Sequence, residues 1–198
     1  MNRILMKANS RITKYFSLIL ILLLVSCSII SRKDISFIPR GVAVLEMDKS
    51  KIDLDDGDSF KYNGQGIRVL GMDTPEIAHP EHGFPEEQPY GKEAAAMTAK
   101  IIRKAKRISY ITYEPDRYGR MLAHIFVDGD LLSIKLIKAG LAYETISHYG
   151  DNGFPRLANR ILKAARQSKP KDFIPPYKWR EQHTKSKLEQ PSPQIPRD

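Results

Sequence analysis

The sequence contains one cysteine, Cys27, and one tryptophan among its 198 residues. A lone cysteine excludes an intrachain disulfide, so an exported fold of this chain must rely on its apolar core. The apolar run from Phe16 to Val25 is shorter than the roughly 20 residues of a membrane-spanning helix. Acidic residues are outnumbered 23 to 32, giving a formal charge of +9. That balance favours a polyanionic partner, either nucleic acid or an anionic lipid surface.

The N-terminal segment has the layout of a secretory signal. It opens with four basic residues and no acids: Arg3, Lys7, Arg11 and Lys14. An apolar run follows, as in signal peptides, and ends in Leu24-Val25-Ser26-Cys27, which resembles a bacterial lipobox. We predict a signal peptide over residues 1–26, a lipidated Cys27 and a polar spacer over 27–41. This predicts export and attachment to the cell envelope, at the outer membrane if the host has one. The alternatives are an incidental cysteine and an uncleaved anchor that extends to Ile30.

The pattern of the remaining chain predicts strands first, then a helix, more strands and two further helices. Strands are predicted at 42–47, 51–54, 59–62, 67–72, 108–113 and 121–127. Helices are predicted at 92–105, 131–139 and 155–167. We expect 51–54 to pair back with 42–47, and Asn63-Gly64 to form a hairpin turn. Residues 42–168 then form an α+β domain in which a small barrel packs against helices. Residues 169–198, rich in Pro, Lys and Gln, are predicted to be a tail with a docking point at 175–179.

Two carboxylates three positions apart flank a proline-fixed turn in Met72-Asp73-Thr74-Pro75-Glu76-Ile77. A second acidic turn, Asp56-Gly57-Asp58, precedes it. Hydrolysis of a phosphodiester needs acids that hold a divalent metal and a carboxylate that activates water. Asp58 and Asp73 are the predicted metal ligands, because a hard cation such as Ca²⁺ takes carboxylate and carbonyl oxygens. For both aspartates the alternative is a turn-capping role.

Glu76 is the predicted general base, because it lies close to Asp73 in sequence without having to bind the metal. Its alternative is a solvated loop glutamate. Arg68 and Arg120 are the predicted phosphate clamp, since guanidinium forks match phosphate oxygens and stay charged at any working pH. The alternatives are an exposed strand cation for Arg68 and a salt bridge with Asp116 for Arg120.

Several motifs together resemble the staphylococcal nuclease (thermonuclease) family. They are Asp56-Gly57-Asp58, the segment from Arg68 to Glu76, Tyr90-Gly91-Lys92-Glu93-Ala94, Asp116-Arg117-Tyr118-Gly119-Arg120 and Gly140-Leu141-Ala142. The resemblance implies a five-stranded OB-type β-barrel with three α-helices. It also implies a Ca²⁺-dependent endonuclease that cleaves DNA and RNA and leaves a 3′-phosphate. Single-stranded regions should be favoured, because the scissile phosphate must reach a concave site.

The same resemblance assigns roles to residues. It implies that Asp58, Asp73 and the carbonyl of Thr74 bind the metal, that Glu76 is the base, and that Arg68 and Arg120 hold the phosphate. With the lipobox, the chain resembles a lipoprotein-type member of the family. We predict a monomer without an obligate protein partner. The departures from the family pattern include the nucleotide-stacking tyrosines, which lack a secure counterpart, and Gly-Leu-Trp, which is absent after the last predicted helix. Trp179-Arg180 resembles the ending of Gram-negative relatives.

A non-catalytic alternative uses the same barrel as an envelope module that binds nucleic acid or another partner. Loss of the acids would favour it. All the acids and both arginines are present, so the enzyme interpretation is preferred.

Overall fold

The computed structural model describes residues 37–80, 86–169 and 171–188. These lie in the second of two compact units, Phe37–Asp198. The predicted signal peptide, Cys27 and spacer residues 27–36 lie outside the described residues, so those predictions stay predictions. No helix in the described part of the chain has the length and apolarity needed to cross a bilayer.

Seven short strands share one curved sheet, and two more form a separate ladder. The sheet contains β1 (Leu45–Glu46), β2 (Ile52–Leu54), β3 (Ser59–Tyr62), β4 (Gln65–Val69), β6 (Ile108–Pro115), β7 (Met121–Val127) and β8 (Asp130–Leu131). Their order is β1-β6-β7-β4-β3-β2, with β8 beside β7. β5 (Met72–Asp73) pairs with β9 (Tyr143–Glu144). Only β1 and β8 in this sheet are two-residue pieces, so five longer strands remain, as an OB-type barrel requires. The predicted α+β, OB-type class is confirmed.

The first hairpin forms as predicted, but the first strand pairs differently. Asn63 and Gly64 adopt φ values of 51° and 78°, the positive angles of a type I′ turn. The expected pairing of 51–54 with 42–47 is wrong: β2 pairs with β3, and β1 pairs with β6. A short 3-10 turn, Lys49–Lys51, separates β1 from β2 and sends them to opposite edges of the sheet. Sequence proximity gave no indication of this separation.

Five α-helices accompany the strands in the described part of the chain. They are α1 (Gly91–Lys104), α2 (Leu132–Lys138), α3 (Ile146–Tyr149), α4 (Pro155–Arg166) and α5 (Pro176–Leu188). The three predicted helices correspond to α1, α2 and α4 within one or two residues. Their apolar faces pack on the sheet through fully buried side chains such as Ile102, Leu136 and Leu157, which meet Ile111 and Ile125 in one core cluster.

The α5 helix lies where the composition predicted a tail. The segment lacks the apolar stripe by which an amphipathic helix is recognised, so periodicity did not reveal it. Pro176 occupies the first helical position, where a proline is well tolerated. The contacts that α5 makes with the domain come from a few polar and aromatic side chains and have consequences for the acidic site described below.

Candidate active site

The acidic turn before β3 is fixed by backbone and side-chain hydrogen bonds. Val69 donates its amide to the Asp58 carbonyl at 2.8 Å, and the buried Thr98 hydroxyl of α1 donates to the Gly57 carbonyl at 2.7 Å. The Asp58 side chain is only 1% exposed. A side chain at Gly57 would meet the Thr74 hydroxyl at 2.6 Å. The turn therefore places Asp58 against the segment that carries Thr74.

The second acidic segment begins at the end of β5. Asp73, which is 4% exposed, pairs with Tyr143 in the β5–β9 ladder. The Thr74 amide donates to Asp58 Oδ2 at 2.8 Å and joins the two acidic segments. The Glu76 backbone is held by Gln88, whose amide donates to the Glu76 carbonyl at 2.9 Å. Asp58, Asp73 and Glu76 consequently surround one small region, although they come from different strands and turns.

Arg68 lies between the two aspartates. The β3–β4 register sets Arg68 opposite Ser59, directly beside the acidic turn. Its Nη1 donates to Asp58 and its Nη2 donates to Asp73, so one guanidinium bridges both carboxylates. Burial alone would lower the pKa of Arg68, but the two aspartates raise it above its ordinary value. Arg68 is therefore a permanent cation inside the acidic group, and not an exposed strand residue.

Arg180 on α5 is a second guanidinium in contact with the acids, and the sequence did not predict it as a site residue. Its Nη2 donates to Asp73 Oδ2 at 3.0 Å, and its Nη1 donates to Asp73 Oδ1 at 3.2 Å and to Glu76 Oε1. Burial would lower the pKa of Arg180, whereas Asp73 and Glu76 raise it above its ordinary value. Two signals were present in the sequence, the docking point predicted at 175–179 and the Trp179-Arg180 ending that resembles Gram-negative relatives, and neither indicated a target.

Among the described residues, the acids of this group outnumber the guanidiniums that contact them. Burial, followed by the charges of Asp58 and Glu76, raises the pKa of the neighbouring Asp56. Burial also raises the pKa of Asp58, although Arg68 opposes this effect. A raised carboxyl pKa means that the ionised form is disfavoured in the folded protein. An added cation would relieve that penalty, so the electrostatics favour cation binding here.

The residues present fit a hard divalent cation. The donors are carboxylate oxygens, with the Thr74 segment beside them, and Ca²⁺ takes such oxygens together with carbonyls and water. The buried Thr74 hydroxyl has no hydrogen-bond partner in the described part of the chain. Among described residues, no group of three or more acidic, histidine or cysteine side chains is arranged to hold a metal ion. Asp58 and Asp73 would therefore hold the ion with backbone and water oxygens.

Arg120 lies close by but makes different contacts. Its Nη2 lies 2.8 Å from Asp116 Oδ2, and its Nε donates to the same oxygen at 2.9 Å. This is the salt bridge that the sequence offered as the alternative. The Arg120 side chain also passes over Gly66, because a Cβ at Gly66 would lie 3.1 Å from Arg120 Cγ. It thus sits beside β4, the strand that carries Arg68, and its phosphate-binding role stays a prediction.

The fold and site together define an OB-type α+β domain with a buried acidic centre lined by guanidiniums. The model of the family described as staphylococcal nuclease homologue matches residues 66–171. This is more than half of the chain, and the protein belongs to that family.

Curated relatives carry related names. A thermonuclease of Staphylococcus hyicus is 42% identical over 79 residues, which cover 39% of this chain and 45% of that protein. Endonuclease YncB of Bacillus subtilis (strain 168) is 36% identical over 107 residues, which cover 48% of this chain and 49% of that protein. The chain thus spans about half the length of the curated relatives that it matches.

Proposed function

We propose that this protein is a Ca²⁺-dependent endonuclease that hydrolyses phosphodiester bonds in DNA and RNA. The observation that carries the proposal is the convergence of Asp58, Asp73 and Glu76, which the guanidiniums of Arg68 and Arg180 join in one largely buried region. The relatives named thermonuclease and endonuclease support the same chemistry. We also propose that the enzyme acts as a monomer without an obligate protein partner.

In this mechanism the phosphodiester enters beside the acidic group. Ca²⁺ held by Asp58, Asp73 and the Thr74 carbonyl would supply charge stabilisation for the phosphoryl oxygens. Glu76 accepts a proton from water, whose oxygen bonds to phosphorus as the bond to the 5′-oxygen breaks. The leaving oxygen takes a proton from solvent, leaving a 3′-phosphate and a 5′-hydroxyl. Arg68 and Arg120 stabilise the charge that develops on the phosphoryl group.

The burial of the acids supports a preference for single-stranded regions. Asp58 and Asp73 are almost inaccessible, so the scissile phosphate must move inward to reach them. A flexible single strand can bend its backbone into such a concave site more easily than a duplex can. The basic overall charge supports capture of a polyanionic substrate.

The proposal is tested by digestion of denatured DNA and RNA with Ca²⁺ and then with excess chelator. Cleavage is expected only with Ca²⁺, with phosphate at the 3′ ends of the products. Thermal unfolding gives an independent reading, because Ca²⁺ at about 100 times its Kd would stabilise the folded state by about 2.7 kcal/mol. Asp58→Asn should abolish that stabilisation. Cleavage that continues in chelator contradicts the proposal, as does a folded, Ca²⁺-binding protein with no cleavage, which would favour the non-catalytic module.

We also propose that the protein is exported and anchored in the cell envelope through a lipidated Cys27. The basic stretch, apolar run and lone cysteine of the N-terminal segment support it. Several acyl chains would anchor firmly where one is marginal. Cys27→Ala should release the protein from the membrane fraction, whereas Ser28→Ala should leave it there. Retention of the Cys27→Ala protein in membranes would indicate an uncleaved anchor instead.

A further inference from the structure

The guanidinium of Arg180 joins the predicted base to a predicted metal ligand. Nη1 and Nη2 pair with the two oxygens of Asp73 at 3.2 and 3.0 Å, while Nη1 also contacts Glu76 Oε1. A planar guanidinium held at both oxygens of one carboxylate has a fixed orientation. The position of the Glu76 carboxylate is thereby defined relative to Asp73. The family match ends at residue 171, so this contact comes from outside it.

Other contacts dock the segment that carries Arg180, which we call the C-terminal clasp (residues 171–183). The Gln88 side chain donates to the Ile174 carbonyl at 2.7 Å, and the Tyr143 hydroxyl donates to the Phe173 carbonyl at 2.7 Å. The Phe173 ring packs against Tyr90 and Tyr143, with centroids 5.6 and 5.4 Å away. The clasp is therefore held at several points and does not depend on the Arg180 ion pairs alone.

One of these points also holds the backbone of the base. Gln88 is fully buried, and its Oε1 accepts a hydrogen bond from the Glu76 amide at 3.3 Å while its Nε2 binds the clasp. Tyr143 likewise touches the clasp and pairs with Asp73 in the β5–β9 ladder. The backbones of Asp73 and Glu76 are thus also linked to the clasp, through Tyr143 and Gln88.

We propose that Arg180 is a positioning residue that holds the Glu76 carboxylate in the geometry needed to activate water, an inference that rests on the proposed function. A catalytic base commonly requires a third group that orients it. Glu76 needs such a group because it lies on an irregular segment between β5 and α1. The alternative is an inhibitory latch that leaves when substrate enters. Gln88, which is buried, and Tyr143 both donate hydrogen bonds to the clasp, which favours a clasp that stays docked over a latch that is released.

The test compares Arg180→Gln, Arg180→Lys and the matched control Lys178→Gln. Lys178 is exposed on the same helix, so its replacement removes one positive charge without touching the acids. Cleavage of a short oligonucleotide with Ca²⁺ gives kcat and KM. We expect Arg180→Gln to lower kcat about 10- to 100-fold with little change in KM, the cost of a misplaced catalytic group. Arg180→Lys should recover only part of the loss, because lysine lacks the guanidinium fork. Lys178→Gln should resemble the wild type.

A double-mutant cycle separates positioning from a general structural role. If Arg180 acts through Glu76, Arg180→Gln should cause almost no further loss in a Glu76→Gln background. Trp179, the only tryptophan of the sequence, has a buried indole nitrogen, so undocking of the clasp would expose it to water and shift its emission without a label. We expect unchanged emission in the Arg180 variants. If Arg180→Gln alters the emission, kcat, KM and the double-mutant cycle are measured instead with Arg180→Lys, which keeps the positive charge.

Three results would overturn the inference. A higher kcat/KM in Arg180→Gln would identify a latch. A raised KM with unchanged kcat would identify an ordinary phosphate contact. Losses that simply add in the double variant would show that Arg180 does not act through Glu76. Failure of the proposed function looks different, since the wild-type protein itself would then not cleave with Ca²⁺.

Discussion

Glu76→Gln is expected to lower kcat at least about 100-fold, corresponding to a barrier higher by about 2.7 kcal/mol. Glutamine has nearly the same shape as glutamate and retains an oxygen that can accept the Arg180 hydrogen bond. It cannot accept a proton from water at working pH. The Glu76 side chain is only 13% exposed, so bulk water does not take its place as the proton acceptor. The measurement is single-turnover cleavage of a defined oligonucleotide with saturating Ca²⁺.

The matched control for this change is Glu93→Gln. Glu93 lies exposed in the first turn of α1 and undergoes the same chemical replacement. Its turnover should equal that of the wild type. Ca²⁺ should still raise the unfolding temperature of the Glu76→Gln protein, because Asp58 and Asp73 are intact. Wild-type turnover in a folded Glu76→Gln protein would remove Glu76 from the mechanism.

Gly91→Ala is expected to lower kcat about 100-fold without removing any charged group. A Cβ at Gly91 would lie 2.3 Å from the Glu76 carbonyl oxygen and 2.9 Å from its carbonyl carbon. Real side chains do not approach that closely, so the backbone that carries the base must shift. A displacement of about 1 Å at a catalytic group can cost 100-fold in rate. Overpacking should also lower the free energy of unfolding by about 1–3 kcal/mol. Steady-state kinetics and denaturant unfolding measure the two effects.

Gly153→Ala separates the geometric effect from general loss of stability. Gly153 has a φ of +78°, so alanine there is strained, but its Cβ would meet no atom within 4 Å. We expect a loss of about 1–2 kcal/mol in unfolding free energy and unchanged kcat. A Gly91→Ala protein with a kcat within about threefold of wild type would show that the contact does not position Glu76.

Local chemistry predicted the parts of the fold that depend on neighbouring residues. The Asn63-Gly64 pair specified its turn because both residues accept positive φ. Pro155 marked the start of α4, which begins at that residue. The partner of β1 could not be predicted, because β1 crosses to β6 over about 60 residues of intervening chain. Such pairing depends on the curvature of the whole sheet and leaves no local pattern.

In the candidate site too, local sequence predicted some residues, while others depend on tertiary structure. Asp58, Arg68, Asp73 and Glu76 were selected as chemical types in short motifs, and the structure brings them together. Arg180 was missed as a site residue because a charged residue in a polar segment is normally solvated. Gln88 was missed because a buried glutamine in a proline-containing loop has no sequence signature. The contacts of Arg120 also depend on tertiary structure, since the pattern allowed either a phosphate or Asp116 as its partner.

Arg180 follows Glu76 by 104 positions, so during translation Glu76 is synthesised well before its ion-pair partner Arg180. A nascent polypeptide that ends anywhere between residues 171 and 179 would contain the whole family match and every acid of the centre. It would lack this guanidinium. Synthesis must therefore pass residue 180 before Glu76 and Asp73 acquire their shared partner.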